Sequence, residues 1–80
     1  MPDELVPLSS LAIGGRATVT EVRLPAGQRG RVMEMGILPG TKVELVRFAP
    51  LGDPVEIKVR GYNLSLRKHE AELIWVQPAA

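Results

Sequence analysis

Eighty residues with ten Lys and Arg against nine Asp and Glu, a formal net charge of +1 and no cysteine make one small domain. A chain of this length buries about 60–65% of the surface its unfolded form exposes, enough for a single core and no deep substrate cavity, which counts against most enzymes. The lack of thiols excludes disulfides and thiolate metal sites, the near-balanced charge argues against a nucleic-acid surface, and no window approaches the roughly 18 consecutive apolar residues of a membrane-spanning helix.

The opening MPDELVPL places two acids and two prolines where a secretory signal needs a basic end and an unbroken apolar run, so a cytoplasmic location is expected. Pro7, Leu8, Ser9, Ser10 and Leu11 read as a helix start, with either serine able to act as N-cap; Gly14 and Gly15 end it within a turn. From Arg16 to Val22, Ala17 and Val19 alternate with Thr18 and Thr20, the period-2 pattern of a first strand. Glu21 breaks that alternation ahead of Val22, which fits either a bulge or the strand's exit from the core. Residues 24–27 form a loop. Residues 28–35 then predict one to two turns of helix, with Val32, Met33 and Met35 on or near its inner face and Arg29 and Arg31 outside. Gly30, if inside that helix, weakens it by about 1 kcal/mol relative to alanine.

The stretch MEMGILPGTKVELV, residues 33–46, changes structural register twice. An apolar cluster that stops at Gly36 predicts a helix ending in a left-handed residue. Pro39 and Gly40 supply the second and third positions of a turn, Pro with its fixed φ and Gly free to take a positive one. Ile37 and Leu38 lie between these breakers as bulky apolar residues in a loop, so either the domain's own core or a partner must cover them.

Residues 41–49 read as the second strand, with Val43 and Leu45 on one face, Lys42 and Glu44 on the other, and Val46 and Phe48 suggesting that the second face is partly covered too. APLGDP is a hairpin loop, and Pro54 begins the next strand without spoiling its ladder. Val55, Ile57 and Val59 alternate with Glu56, Lys58 and Arg60; Gly61 with Tyr62 or Asn63 then turns the chain back into Leu64–Arg67. Residues 68–73 make a short helical turn, and Ile74, Trp75 and Val76 a last strand before a loose QPAA tail. Five short strands joined by tight turns predict a mainly β, SH3-like barrel with one or two short helices, since closing a small sheet hides its edges.

The order of these features resembles the FeoA family, the small cytoplasmic component of bacterial ferrous iron transport. The resemblance runs over residues 8–76 of the single domain 1–80 and rests on GILPGT, matching the family's Gly, apolar, apolar, Pro, Gly turn, together with the hairpin APLGDPVEIKV. It implies an SH3-like fold and no catalysis of the domain's own. It also implies a role exerted on the transporter's large membrane subunit, which carries a cytosolic GTP-binding domain. A similar domain ends iron-dependent repressors, which gives the alternative of a metal-binding regulatory domain, but there it follows a DNA-binding segment for which this chain has no room. The helix departs from the family's paired basic residues before two leucines, holding Gly30, Arg31, Val32 and Met33 in those places.

The expected protein-binding face consists of Leu24, Arg31, Val32, Met35, Ile37 and Leu38, because apolar side chains beside flexible methionines suit a surface that must adapt to a partner. Pattern alone favours Val32 and Met35 as core, the inner face of a helix that plugs a barrel end. His69, Glu70 and Glu72 form the one cluster of histidine with carboxylates; a transition-metal site usually offers more imidazole or thiolate, so neither a metal nor a cofactor is assigned. Phe48, Tyr62 and Trp75 are too scattered for a proline-peptide groove. Arg16, Arg23, Arg29 and Arg31 make a conceivable basic strip, but no nucleic acid is expected as partner. No Ser or Cys sits beside a base, no glycine loop cradles phosphate, and Asp53 with Glu56 flank a turn, so no residue is assigned to catalysis. Self-association through an edge strand is left open.

Overall fold

The computed structural model describes residues 4–79; Met1, Pro2 and Asp3 of the opening segment and Ala80 of the tail lie outside them. Six strands form one antiparallel sheet: β1 (Val6–Pro7), β2 (Arg16–Val22), β3 (Lys42–Phe48), β4 (Val55–Val59), β5 (Tyr62–Leu66) and β6 (Ile74–Pro78). Helix α1 (Ala26–Glu34) links β2 to β3, α2 (Lys68–Glu72) links β5 to β6, and a 3-10 turn, Leu8–Ser10, follows β1. The order β1-β6-β2-β3-β4-β5 leaves β1 and β5 as the two edges.

The sixth strand, β1, is two residues long and pairs with the outside of β6. A proline that cannot donate to a ladder is tolerated on such an edge, which is why the segment escapes a reading based on alternation. The predicted loose tail is instead part of β6: Gln77 pairs with Thr18, Pro78 with Ala17, and the Ala79 N–H donates to the Arg16 carbonyl at 2.8 Å.

Two bulges explain the breaks in alternation. Between β2 and β6 the register shifts so that Val19 pairs with Val76 and Glu21 with Trp75, leaving Thr20 as the extra residue. Strict alternation from Ala17 and Val19 would turn Glu21 inward; the bulge rephases the strand so that Val22 is buried instead. The second shift lies in β3, where Leu45 pairs with Ile57 but Arg47 with Glu56. Val46 is extra there, Phe48 returns to the core side opposite Val55, and Arg47 reaches Glu56 at 2.9 Å on the outside. Phe48 therefore marks a change of phase in β3 and not a covered second face.

The core runs through every strand from β2 to β6, with Ala17, Val19, Val22, Val43, Leu45, Val55, Ile57, Val59, Leu66, Ile74 and Val76 buried, and is closed by Leu8, Leu11, Val32 and Ala71. The β4–β5 turn is one residue earlier than predicted: Arg60 and Gly61 both have positive φ, 51° and 87°, as a two-residue type I′ hairpin requires. Tyr62 is thereby the first residue of β5. Asp53, in the β3–β4 loop, also serves α2, accepting the Lys68 backbone N–H at 3.0 Å.

Candidate functional site

Helix α1 starts at Ala26, two residues before the predicted start, and ends as the sequence predicts. Its C-terminus is a Schellman motif. Met35 is the C-cap, Gly36 follows at φ +106°, and the N–H groups of Gly36 and Ile37 bond back to the carbonyls of Met33 and Val32 at 3.0 and 3.3 Å. Such a motif brings the residue after the glycine against the last turn of the helix, and here Ile37 and Val32 are both fully buried.

The next four residues turn the chain into β3. Thr41 N–H donates to the Leu38 carbonyl at 2.9 Å, with Pro39 and Gly40, φ +92°, between them. Gly40 N–H donates to the Val19 carbonyl and the Val19 N–H to that of Thr41, which fixes the turn to β2. Leu38 is left 36% exposed.

Of the six residues expected on the binding face, Leu24, Val32 and Ile37 are buried in the core. Leu24 is buried in the link between β2 and α1, and Val32 and Ile37 are sealed by the helix cap. Arg31 and Leu38 reach the surface, and Met35 is partly buried against the core. Tyr62, missed as a site residue, joins them: its hydroxyl donates to the Met35 carbonyl, one of the orphan acceptors at the end of α1. A Cβ on Gly36 would lie 2.5 Å from that hydroxyl, so glycine is required here both by φ and by the close approach of β5.

Arg31 bridges the two helices. Its guanidinium donates to the Glu70 carboxylate on α2, whose other oxygen accepts the Arg67 backbone N–H at 3.0 Å. Glu70 is 2% exposed. Burial pushes its carboxyl up, but the hydrogen bonds from Arg31 and Arg67 and the positive charges of Arg31 and His69 outweigh that, holding it below the ordinary glutamate value. Beside it, His69 Nε2 lies 3.3 Å from Gln28 Oε1 on α1.

This arrangement does not suit a metal. The Glu70 oxygens are taken by Arg31 and Arg67, Glu72 is exposed, and no group of three or more His, Asp or Glu able to hold an ion occurs among the described residues. The aromatic residues do not line one groove: Phe48 packs on the core, Tyr62 caps α1, and Trp75 lies under Arg23, whose guanidinium carbon is 4.3 Å from the ring centroid. Of the four arginines, Arg16, Arg23 and Arg31 pair with Glu44, Glu21 and Glu70 respectively, while Arg29 is exposed with no ion-pair partner among the described residues. Among the described residues no helix is long and apolar enough to cross a membrane.

The fold is shared with solved structures. The FeoA protein of Chlorobium tepidum is 44% identical, with a TM-score of 0.89 over 94% of this chain and 71% of its own. The Stenotrophomonas maltophilia FeoA complexed with zinc, described as an SH3 domain protein, is 32% identical with a TM-score of 0.73 over 86% of each chain. A manganese-dependent transcriptional repressor matches 99% of this chain and 38% of its own with a TM-score of 0.84, but at 18% identity, a likeness of fold alone. A curated relative from Porphyromonas gingivalis, an Fe(2+) transport protein A/Fe(2+) transporter FeoB fusion protein, is 39% identical over 70 residues, which are 88% of this chain and 8% of that one. The model of the FeoA domain matches residues 6–78, from β1 to the last residue of β6, and so the SH3-like barrel built around the GILPGT turn belongs to the FeoA family.

Proposed function

We propose that this domain is a cytoplasmic accessory component of ferrous iron transport that docks on the cytosolic GTP-binding part of the large transporter subunit. The observation that carries this reading is the Porphyromonas gingivalis fusion, in which a segment like this chain shares one polypeptide with an Fe(2+) transporter. Fusion holds two modules at high effective concentration, which benefits a pair that must meet. The docking surface is the rim around the end of α1: Leu38 and Met35 supply apolar contact, Arg31 and Tyr62 the polar edge. No step of catalysis is assigned to the domain; its effect is exerted through contact.

The alternative, metal binding of the kind suggested by the zinc complex of the Stenotrophomonas maltophilia protein, is not favoured, because an ion at His69 and Glu70 would have to displace Arg31 from a buried carboxylate. The test is copurification of the tagged chain with the large subunit from cells. Wild type is expected to retain it, and Leu38→Asp, which leaves the core untouched, to lose most of it. Equal recovery by both would refute the assigned surface, and no recovery by wild type would refute docking itself.

A further inference from the structure

Three exposed cations of this chain meet at one end of the barrel, beside the Arg16–Glu44 ion pair. An open groove there is lined by Arg16 and Thr18 of β2, Lys42 and Glu44 of β3, Lys58 of β4 and Arg60 of the following turn. Glu44 takes Arg16 at 3.5 Å, while Lys42, Lys58 and Arg60 are exposed and have no ion-pair partner among the described residues. Elsewhere Glu21, Glu56 and Glu70 each hold an arginine, while Arg29, Arg67 and Lys68 are, like the groove's cations, exposed and without an ion-pair partner among the described residues. The register sets the spacing. Val43 pairs with Val59 and Glu44 with Lys58, so one step further brings Arg60 alongside Lys42. Arg60 itself lies one residue past the end of β4, in the turn to β5.

Arg60 carries a second, independent signal. It is held at φ 51°, the first centre of a type I′ turn, where Asn, Asp or Gly sits with less strain. A residue kept in an unfavourable backbone conformation points to a use for its side chain.

We propose that this groove binds an extended acidic polypeptide segment, its carboxylates taken by Lys42, Lys58 and Arg60. Lys58 pairs with Glu44, so Lys42 is its diagonal neighbour across the strands, about 7–8 Å away, close to the repeat of about 6.5–7 Å between side chains on one face of an extended chain. A phosphate backbone is a poorer fit: nucleic-acid sites commonly neutralise about 6–10 phosphates, and Glu44 stands in the middle of these few cations. A peptide can turn a backbone N–H toward Glu44 instead. A lipid surface is poorer again, because the cations line a recess and a bilayer is flat. The groove is independent of the docking rim, since the chain and a peptide alone suffice to test it.

The probe is a short labelled peptide with glutamate at every second position, titrated into the full chain and followed by fluorescence anisotropy, with its glutamine counterpart as control. Binding of the glutamate peptide alone is expected, weakening as salt shortens the Debye length. Lys42→Gln and Lys58→Gln are each expected to weaken it about 2–5-fold, as loss of one exposed ion pair does. Arg60→Asn creates the favoured Asn-Gly turn, so it should weaken binding similarly while the melting temperature rises. Equal binding of the two peptides, indifference to all three substitutions, or tighter groove-dependent binding of polyuridylate or of phosphatidylserine vesicles would overturn the proposal.

Discussion

Replacing Glu70 by alanine removes an acceptor that two helices share. The carboxylate receives the Arg67 backbone N–H and the Arg31 guanidinium. A hydrogen bond to a charged group contributes about 1.5–3 kcal/mol when both partners are dry. Arg31 keeps 50% of its side chain in water, so its share is screened to about 1 kcal/mol at most. With about 1–2 kcal/mol for the backbone N–H, Glu70→Ala is expected to lose about 2–3 kcal/mol, and Glu70→Gln, whose amide oxygen still accepts from Arg67, about 1 kcal/mol. Against a total of about 4–12 kcal/mol for a domain this size, either change is measurable. At a urea m-value of about 1 kcal/mol/M the alanine variant's midpoint falls by about 2–3 M. The same carboxylate shapes the acid limb. Its folded pKa lies below the ordinary value, so its contribution is complete above the unfolded glutamate pKa and is lost as pH falls through the lowered folded one. Glu70→Gln should flatten that part of the stability profile. Equal urea midpoints at neutral pH, or an unchanged acid slope in the glutamine variant, would refute the reasoning.

Gly30 lies inside α1 with open space where a Cβ would be, so Gly30→Ala should stabilise by about 0.5–1 kcal/mol and raise the melting temperature by several degrees. Gly36→Ala meets both a left-handed φ and the Tyr62 hydroxyl; thermal melting is expected to show a loss of about 2–3 kcal/mol, more than the roughly 0.5–1.5 kcal/mol of Tyr62→Phe, which removes only the bond to Met35. Val32→Asp places a charge in the sealed core and should abolish the dispersed amide spectrum of a folded domain. Leu38→Asp should keep that spectrum and lie within about 0.5 kcal/mol of wild type.

Most of the architecture was legible because the chain punctuates itself. Gly36, the Pro39–Gly40 pair and the alternation of Val55, Ile57 and Val59 each have one economical backbone solution, and the structure adopts it. What escaped was set by contacts distant in sequence. The two-residue β1 has no period to read and exists because β6 offers it an edge. The Val46 bulge becomes visible only once Arg47 is seen opposite Glu56. Tyr62 and Glu70 read as a turn residue and a helix carboxylate until β5 and α2 are placed beside α1; Arg67 is no conventional N-cap, so nothing local marks Glu70 as buried.

The division of the expected binding face follows from one motif. A Schellman cap commonly sets the residue after its glycine against the helix's own last turn, and here both Ile37 and Val32 are fully buried. Ile37 is therefore committed to Val32 and the core before any partner is considered. Pro39 then fixes a turn that Gly40 and Thr41 anchor to β2, so Leu38 faces water as the inevitable counterpart of a buried Ile37. An apolar side chain held rigidly between two anchored breakers loses little conformational entropy when something covers it. On the proposed docking rim, Leu38 would therefore lose less conformational freedom on being covered than Leu51 at the tip of the β3–β4 hairpin, which is 94% exposed and outside the core cluster.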